Sequence, residues 1–257
     1  MALSTSVRPS PVFLAVVAVA VIGGAVAWQS STPGDALSYA GVFVLVIGGW
    51  VVSLCLHEFA HAVTAWRFGD HDTAARGYLT LNPLKYTVPG LSIVLPLIFV
   101  ALGGIGLPGG AVWLNTSGMT RRQRTTVSLA GPFANLVLAV VLLAIIAVWA
   151  PGSEHPSFWF GMSFLAFLQV VAVVLNLIPM PGLDGFGAIE PYLSPSTRRS
   201  FARIGPYGVL IVIALLFVPQ INQAFFGAVY ALYEVSGVPA GWAQSGGILT
   251  RFWTQWY

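Results

Sequence analysis

Charge is what this chain has least of. Only 7% of its 257 residues are Asp, Glu, Lys or Arg, while 57% are hydrophobic and the mean hydropathy is +0.83. Soluble globular proteins carry about a quarter of their residues as charges, so the composition describes an integral membrane protein. Cysteine is nearly missing as well: Cys55 stands alone and cannot form an internal disulfide. Lysine occurs once, at Lys85, against ten arginines. With abundant Ala, Gly and Val, that imbalance points to a GC-rich bacterial source. The 11 basic residues gather at the ends of apolar runs, so the formal charge of +3 and the pI near 9.2 read as topology signals and not as a nucleic-acid surface. No repeat, low-complexity tract or appended soluble domain is visible, and the expectation is one domain over residues 1–257 with its core at about 36–190.

The apolar runs predict an all-α polytopic fold of about five to six transmembrane helices. Val12–Trp28 is short for a span, and Ala25-Val26-Ala27 looks like a signal-peptidase site, which leaves a cleaved leader open beside a first crossing. Ala36–Phe68 is the second run. Pro89–Leu107 is apolar but interrupted by Pro and Gly; a single crossing there would put Lys85 and the Arg121, Arg122 and Arg124 cluster on opposite sides, so it is expected to dip in and return. Thr125–Ala150 and Phe158–Ile178 follow. The last span is expected from near Gly205 to about Tyr233, interrupted at Pro219, with an aromatic tail (Tyr230, Tyr233, Trp242, Phe252, Trp253, Trp256 and Tyr257) at the membrane–water interface. Alternation at Tyr78–Leu81 and the Ala111–Leu114 stretch suggest short membrane-associated strands. Arg67 at the end of the second run places that end towards the cytoplasm of a multi-pass cell-membrane protein.

What stands out against this apolar background is His57-Glu58-Phe59-Ala60-His61. A helix puts residues four apart on one face, so both imidazoles can reach one metal ion while Glu58 stays beside it. With four His and four Glu in 257 residues, random placement yields the pattern in roughly one chain in a thousand. Two histidines satisfied by backbone or neighbours would show the same spacing. Against that, a charged side chain at the centre of a bilayer costs about 2.5 to 3.5 kcal/mol. A structural zinc contributes about 10 to 16 kcal/mol in small peptides, enough to offset three such groups. Cys55 lies two residues from His57, about 200° around the helix, and is a core residue rather than a ligand to the same ion.

Catalytic zinc takes three protein ligands and keeps a position open for water. Of the eight acidic residues, only Glu58 and Asp184 sit in or against expected spans on the appropriate side, which makes Asp184 the third ligand candidate. A plain Pro-Gly-Leu-Asp-Gly turn held by the Asp side chain is its other reading. Glu58 would then take a proton from the water and deliver it to a leaving amine, which is peptide-bond hydrolysis.

Together, His57-Glu58-Phe59-Ala60-His61, Ser128-Leu129-Ala130-Gly131-Pro132-Phe133-Ala134-Asn135 and Asn176-Leu177-Ile178-Pro179-Met180-Pro181-Gly182-Leu183-Asp184-Gly185 resemble the site-2 protease family of intramembrane zinc metalloproteases. The three motifs, in this order, cover about Gly49 to Glu190. The chain is most similar to compact members without a PDZ or CBS domain, including in Arg76-Gly77-Tyr78-Leu79-Thr80-Leu81-Asn82-Pro83-Leu84-Lys85. The resemblance implies a three-span catalytic core holding one zinc ion per chain, with His57, His61 and Asp184 as ligands and Glu58 as base. It implies a transmembrane protein as substrate, with Asn135 and Asn176 as polar residues near the site that either help to hold substrate backbone or the oxyanion or make hydrogen bonds between helices. Met180 between the prolines is a departure without chemical consequence. Two rivals remain at this point: a metal-ion transporter using the same three ligands, and an inactive relative that binds membrane proteins without cutting them.

Overall fold

The computed structural model describes residues 7–30, 32–86 and 112–253. It is built of helices: α1 (Pro11–Gln29), α2 (Ala36–Arg67), the short α3 (Asp72–Ala75) and α4 (Pro83–Tyr86), α5 (Arg121–Trp149), α6 (Pro156–Asn176), α7 (Asp184–Ile189), α8 (Pro195–Ile204), α9 (Gly208–Leu216), α10 (Pro219–Glu234) and α11 (Ala240–Thr250). Four of them, α1, α2, α5 and α6, are long and apolar enough to cross a membrane, and α8 with α9, bent by 67°, supply a fifth if they act as one span. In hydrocarbon every backbone polar group must be satisfied within the chain, and a helix does this by itself.

Polar residues fix where the long helices begin. The Asp35 carboxylate accepts the Ser38 N–H at 2.6 Å at the start of α2. Thr120 and Gln123 close a reciprocal capping box at the start of α5. Further along α5, Pro132 sits inside the helix.

In the apolar window of α6, 67% of residues are buried, against 28% in that of α1, so α6 is the central helix and α1 a peripheral one. Helices α1, α2, α5, α10 and α11 all touch α6. One core joins Ala139, Leu143 and Ile146 of α5 to Phe167 and Val171 of α6, Val229 and Tyr233 of α10, and Ala243 of α11. Between lipid-embedded helices, close van der Waals packing of this kind holds the bundle, because lipid tails are as apolar as the side chains. Helix α1 lies along α2 and buries Ala27 completely.

Three expectations are corrected. Tyr78–Thr80 is a turn of 3-10 helix and not a strand; Gly77 and Leu81 on either side both have positive φ, which curls the chain where a strand would run straight. No strand occurs among the described residues, and Val112–Leu114 has no regular structure. The expected last span is two helices: Pro219 occupies the first turn of α10, where its missing N–H costs nothing, so it starts a helix after Phe217 and Val218 instead of kinking one. The aromatic tail is not an interfacial fringe throughout, since Tyr233 is fully buried and α11 lies against α6 and α2. The proposed re-entrant stretch Pro89–Leu107 falls outside the described residues, as do Ala111, Trp256 and Tyr257.

Candidate active site

His57, Glu58 and His61 lie on the second half of α2, and all three are buried. The Nε2 atoms of His57 and His61 are 3.1 Å apart. Each ring is held from behind through Nδ1: His57 by Asn135 Oδ1 on α5 at 2.5 Å, and His61 by the backbone carbonyl of Val127, also on α5, at 2.7 Å. A carbonyl oxygen only accepts, so His61 carries its proton on Nδ1 and presents a lone pair at Nε2.

The same tautomer follows for His57 by a longer route. Gln169 of α6, 1% exposed, donates from Nε2 to the Leu165 carbonyl at 3.4 Å. That turns Gln169 Oε1 towards Asn135, whose Nδ2 donates to it at 2.8 Å, and leaves Asn135 Oδ1 to accept from His57. A backbone carbonyl thus sets the polarity of the whole relay.

Asp184 is the first residue of α7 and reaches the same point from the opposite side. Its Oδ2 is 3.2 Å from His57 Nε2 and its Oδ1 is 3.3 Å from His61 Nε2. Gly182, with φ of +95°, makes the turn between the end of α6 and α7. Two bonds clamp α7 and the residue that follows it to α5: Thr125 Oγ1 donates to the Ala188 carbonyl at 2.7 Å, and Arg124 Nη2 to Glu190 Oε2 at 2.9 Å. Arg124, read from sequence as a topology signal, therefore also fastens the end of the helix that carries Asp184.

These residues fit a zinc ion. His57 Nε2 and His61 Nε2 lie 3.1 Å apart, and each is in turn 3.2 Å and 3.3 Å from a different oxygen of the Asp184 carboxylate. Neighbouring ligands of a tetrahedral zinc with bonds of about 2.0 to 2.1 Å are separated by roughly 3.3 Å. Asp184 Oδ2 is buried and makes no hydrogen bond, close though it is to His57. With the neutral imidazoles turned as above, two lone pairs and a carboxylate face one another, an arrangement a cation resolves. Gly131 of α5 faces the same spot: a Cβ there would fall on the Nε2 atoms of both His57 and His61, so only glycine leaves the space open. His57, His61 and Asp184 are the one group of this kind among the described residues.

Glu58 is on the same helix, and its Oε2 accepts the Val112 N–H at 3.1 Å. Asn135, expected near substrate, has its oxygen engaged by His57 and its amide by Gln169, so its bonds serve the metal ligand. Asn176 ends α6 and is buried with an amide nitrogen that makes no hydrogen bond. Sequence reasoning missed Gln169 and the Val127 carbonyl. The first is a lone amide in an apolar span, a visible signal; the second is backbone and leaves none.

The chain is 59% identical over 256 residues to the protein named zinc metalloprotease Rip2 in Mycolicibacterium smegmatis, covering 99% of this chain and 98% of the relative. It is 53% identical over 252 residues to the protein of that name in Mycobacterium tuberculosis, covering 98% and 97%. It is also 31% identical over 182 residues to the protein named zinc metalloprotease YwhC in Bacillus subtilis, covering 66% of this chain and 78% of that one. No family model and no solved structure matches. With a His-His-Asp cluster whose two histidines lie on a helix long and apolar enough to cross a membrane, and relatives of this identity along its whole length, the chain belongs to the site-2 protease family of zinc metalloproteases.

Proposed function

We propose that the protein is an intramembrane endopeptidase that hydrolyses peptide bonds in or beside the transmembrane segments of other membrane proteins, with Glu58 as its general base. One observation carries the reading: three metal-binding side chains converge around a helix, α2, that is apolar and long enough to cross a bilayer, with a further carboxylate beside them. His57, His61 and Asp184 would hold the zinc ion, which would supply a water of pKa about 7 and polarise the scissile carbonyl. Glu58 accepts a proton as the water oxygen adds to the carbonyl carbon, and returns it to the nitrogen as the C–N bond breaks. Asn135 and the Val127 carbonyl keep both imidazoles turned towards the metal throughout. The Asn176 amide, buried without a partner, is available to the substrate backbone.

Arg67, Arg121, Arg122 and Arg124 at the helix ends nearest the site support a cytoplasmic orientation. The position of His57, Glu58 and His61 on a helix long and apolar enough to cross a membrane supports a transmembrane protein as partner. The transporter reading lacks a second station, since the described residues contain no other His, Cys, Asp and Glu group of this kind. Glu58→Gln separates the readings. It should keep one zinc per chain and lower cleavage of a single-span reporter by about 10² to 10⁴-fold; cleavage at the wild-type rate would remove the peptidase assignment.

A further inference from the structure

The carboxylate beside the metal ligands is not held by the helices that hold the ligands. Residues Val112 to Asn115 run past α2 and are fastened at three points. The Val112 N–H donates to Glu58 Oε2 at 3.1 Å, the Trp113 carbonyl accepts from Arg76 Nη1 at 2.7 Å, and the Asn115 N–H donates to Asp70 Oδ2 at 2.7 Å. Asp70 is 5% exposed, and it is itself fixed: its N–H donates to the Ala65 carbonyl of α2, and its own carbonyl accepts from Thr73 Oγ1. Arg76 and Trp113, by contrast, are exposed, so Asp70 is the buried anchor of this strap.

The two end ties are only three residues apart, a stretch of chain that reaches at most about 10 Å. Where Asp70 holds the Asn115 N–H therefore limits how far the Val112 N–H can move from Glu58.

We infer that Asp70 is a positioning residue for Glu58, acting through the Val112–Asn115 strap: by holding Asn115 it holds the Val112 N–H against Glu58 Oε2 and leaves Oε1 as the oxygen free to work on the substrate water. The inference rests on the role of Glu58 proposed above. It makes a small carboxylate in the turn after α2, far from the metal along the chain, necessary for turnover and unnecessary for metal binding.

The test uses the full-length enzyme in detergent, with a single-span reporter chosen because the wild type cleaves it. Asp70→Ala should lower kcat roughly 10- to 100-fold, the scale of a misplaced catalytic group, with KM and the zinc content unchanged. Hydrogen–deuterium exchange at the Val112 amide should rise. Asp70→Asn keeps an acceptor oxygen for the Asn115 N–H and should restore both kcat and protection. Should Asp70→Ala fail to fold, Asn115→Pro, which removes the donor at the other end, carries the same expectation. Wild-type kcat in Asp70→Ala, loss of zinc along with activity, or an Asp70→Asn as slow as Asp70→Ala would overturn the inference. Glu58→Gln in parallel keeps the two ideas apart: if it abolishes cleavage while Asp70→Ala does nothing, only the strap inference fails, and if it leaves cleavage intact, the reading beneath it fails.

Discussion

The two sides of the site are held in different ways. The metal-binding side is backed by buried helix-to-helix bonds: His57 by Asn135 and Gln169, His61 by the Val127 carbonyl, with α5 and α6 behind them. The base side leans on a strap whose Trp113 is 77% exposed. On the proposed role of Glu58, binding the ion and using it are separable properties, the first built into the bundle and the second set by the Val112–Asn115 segment. Rigid support suits ligands that must hold a fixed geometry.

The largest effect that sharpens this contrast is expected on the metal side at Gly131. Gly131→Ala places a methyl on both Nε2 atoms, so the purified protein should lose its zinc and its activity together. Metal analysis per chain checks it, and a fully loaded variant would mean that α5 does not press on the ligands as described.

Next comes the relay. Asn135→Ala should weaken zinc affinity by about 10 to 100-fold, as removal of an outer hydrogen-bond partner does. Gln169→Leu should weaken it less, and because both act through His57 the double variant should be no worse than Asn135→Ala alone. Competition with a chelator measures all three. Losses that simply add would break the relay into unrelated contacts.

The smallest effect lies away from both sides. The Ser38 backbone N–H that Asp35 caps at the start of α2 holds the Asp35 carboxyl below its usual range. A carboxyl lowered on folding stabilises the folded state fully above its unfolded pKa of about 3.9 and loses that contribution as pH falls through the lower folded value. Thermal unfolding between about pH 5 and pH 2 should thus fall more steeply in wild type than in Asp35→Asn.

The site was legible in the sequence because two independent constraints fell on the same residues. Metal chemistry fixes His57 and His61 at helical spacing, and a membrane makes any ionisable group conspicuous, which is how Asp184 stood out beyond the broken end of α6. Structure brings those three together. What was illegible had no such double constraint. Four alternating residues at Tyr78–Leu81 cannot distinguish a strand from a turn, and only the positive φ of Leu81 decides it. Pro219 ends or starts a helix according to which side of it the chain can still bond. Tyr233 has the residue type of an interfacial anchor and is instead buried against Phe167, because packing on α6 outweighs the preference of the type. The Val127 carbonyl and the Val112 N–H act through backbone, which any residue supplies.

The central claim is the ligand set, and X-ray absorption at the zinc edge of the purified, full-length protein tests it most directly. The account predicts a first shell of nitrogen and oxygen only, at about 2.0 to 2.2 Å, with the outer-shell pattern of two imidazoles, and loss of the oxygen contribution in Asp184→Ala. A sulfur at about 2.3 Å, which in this chain could come from Cys55 or a methionine, or a shell unchanged by Asp184→Ala, would contradict it.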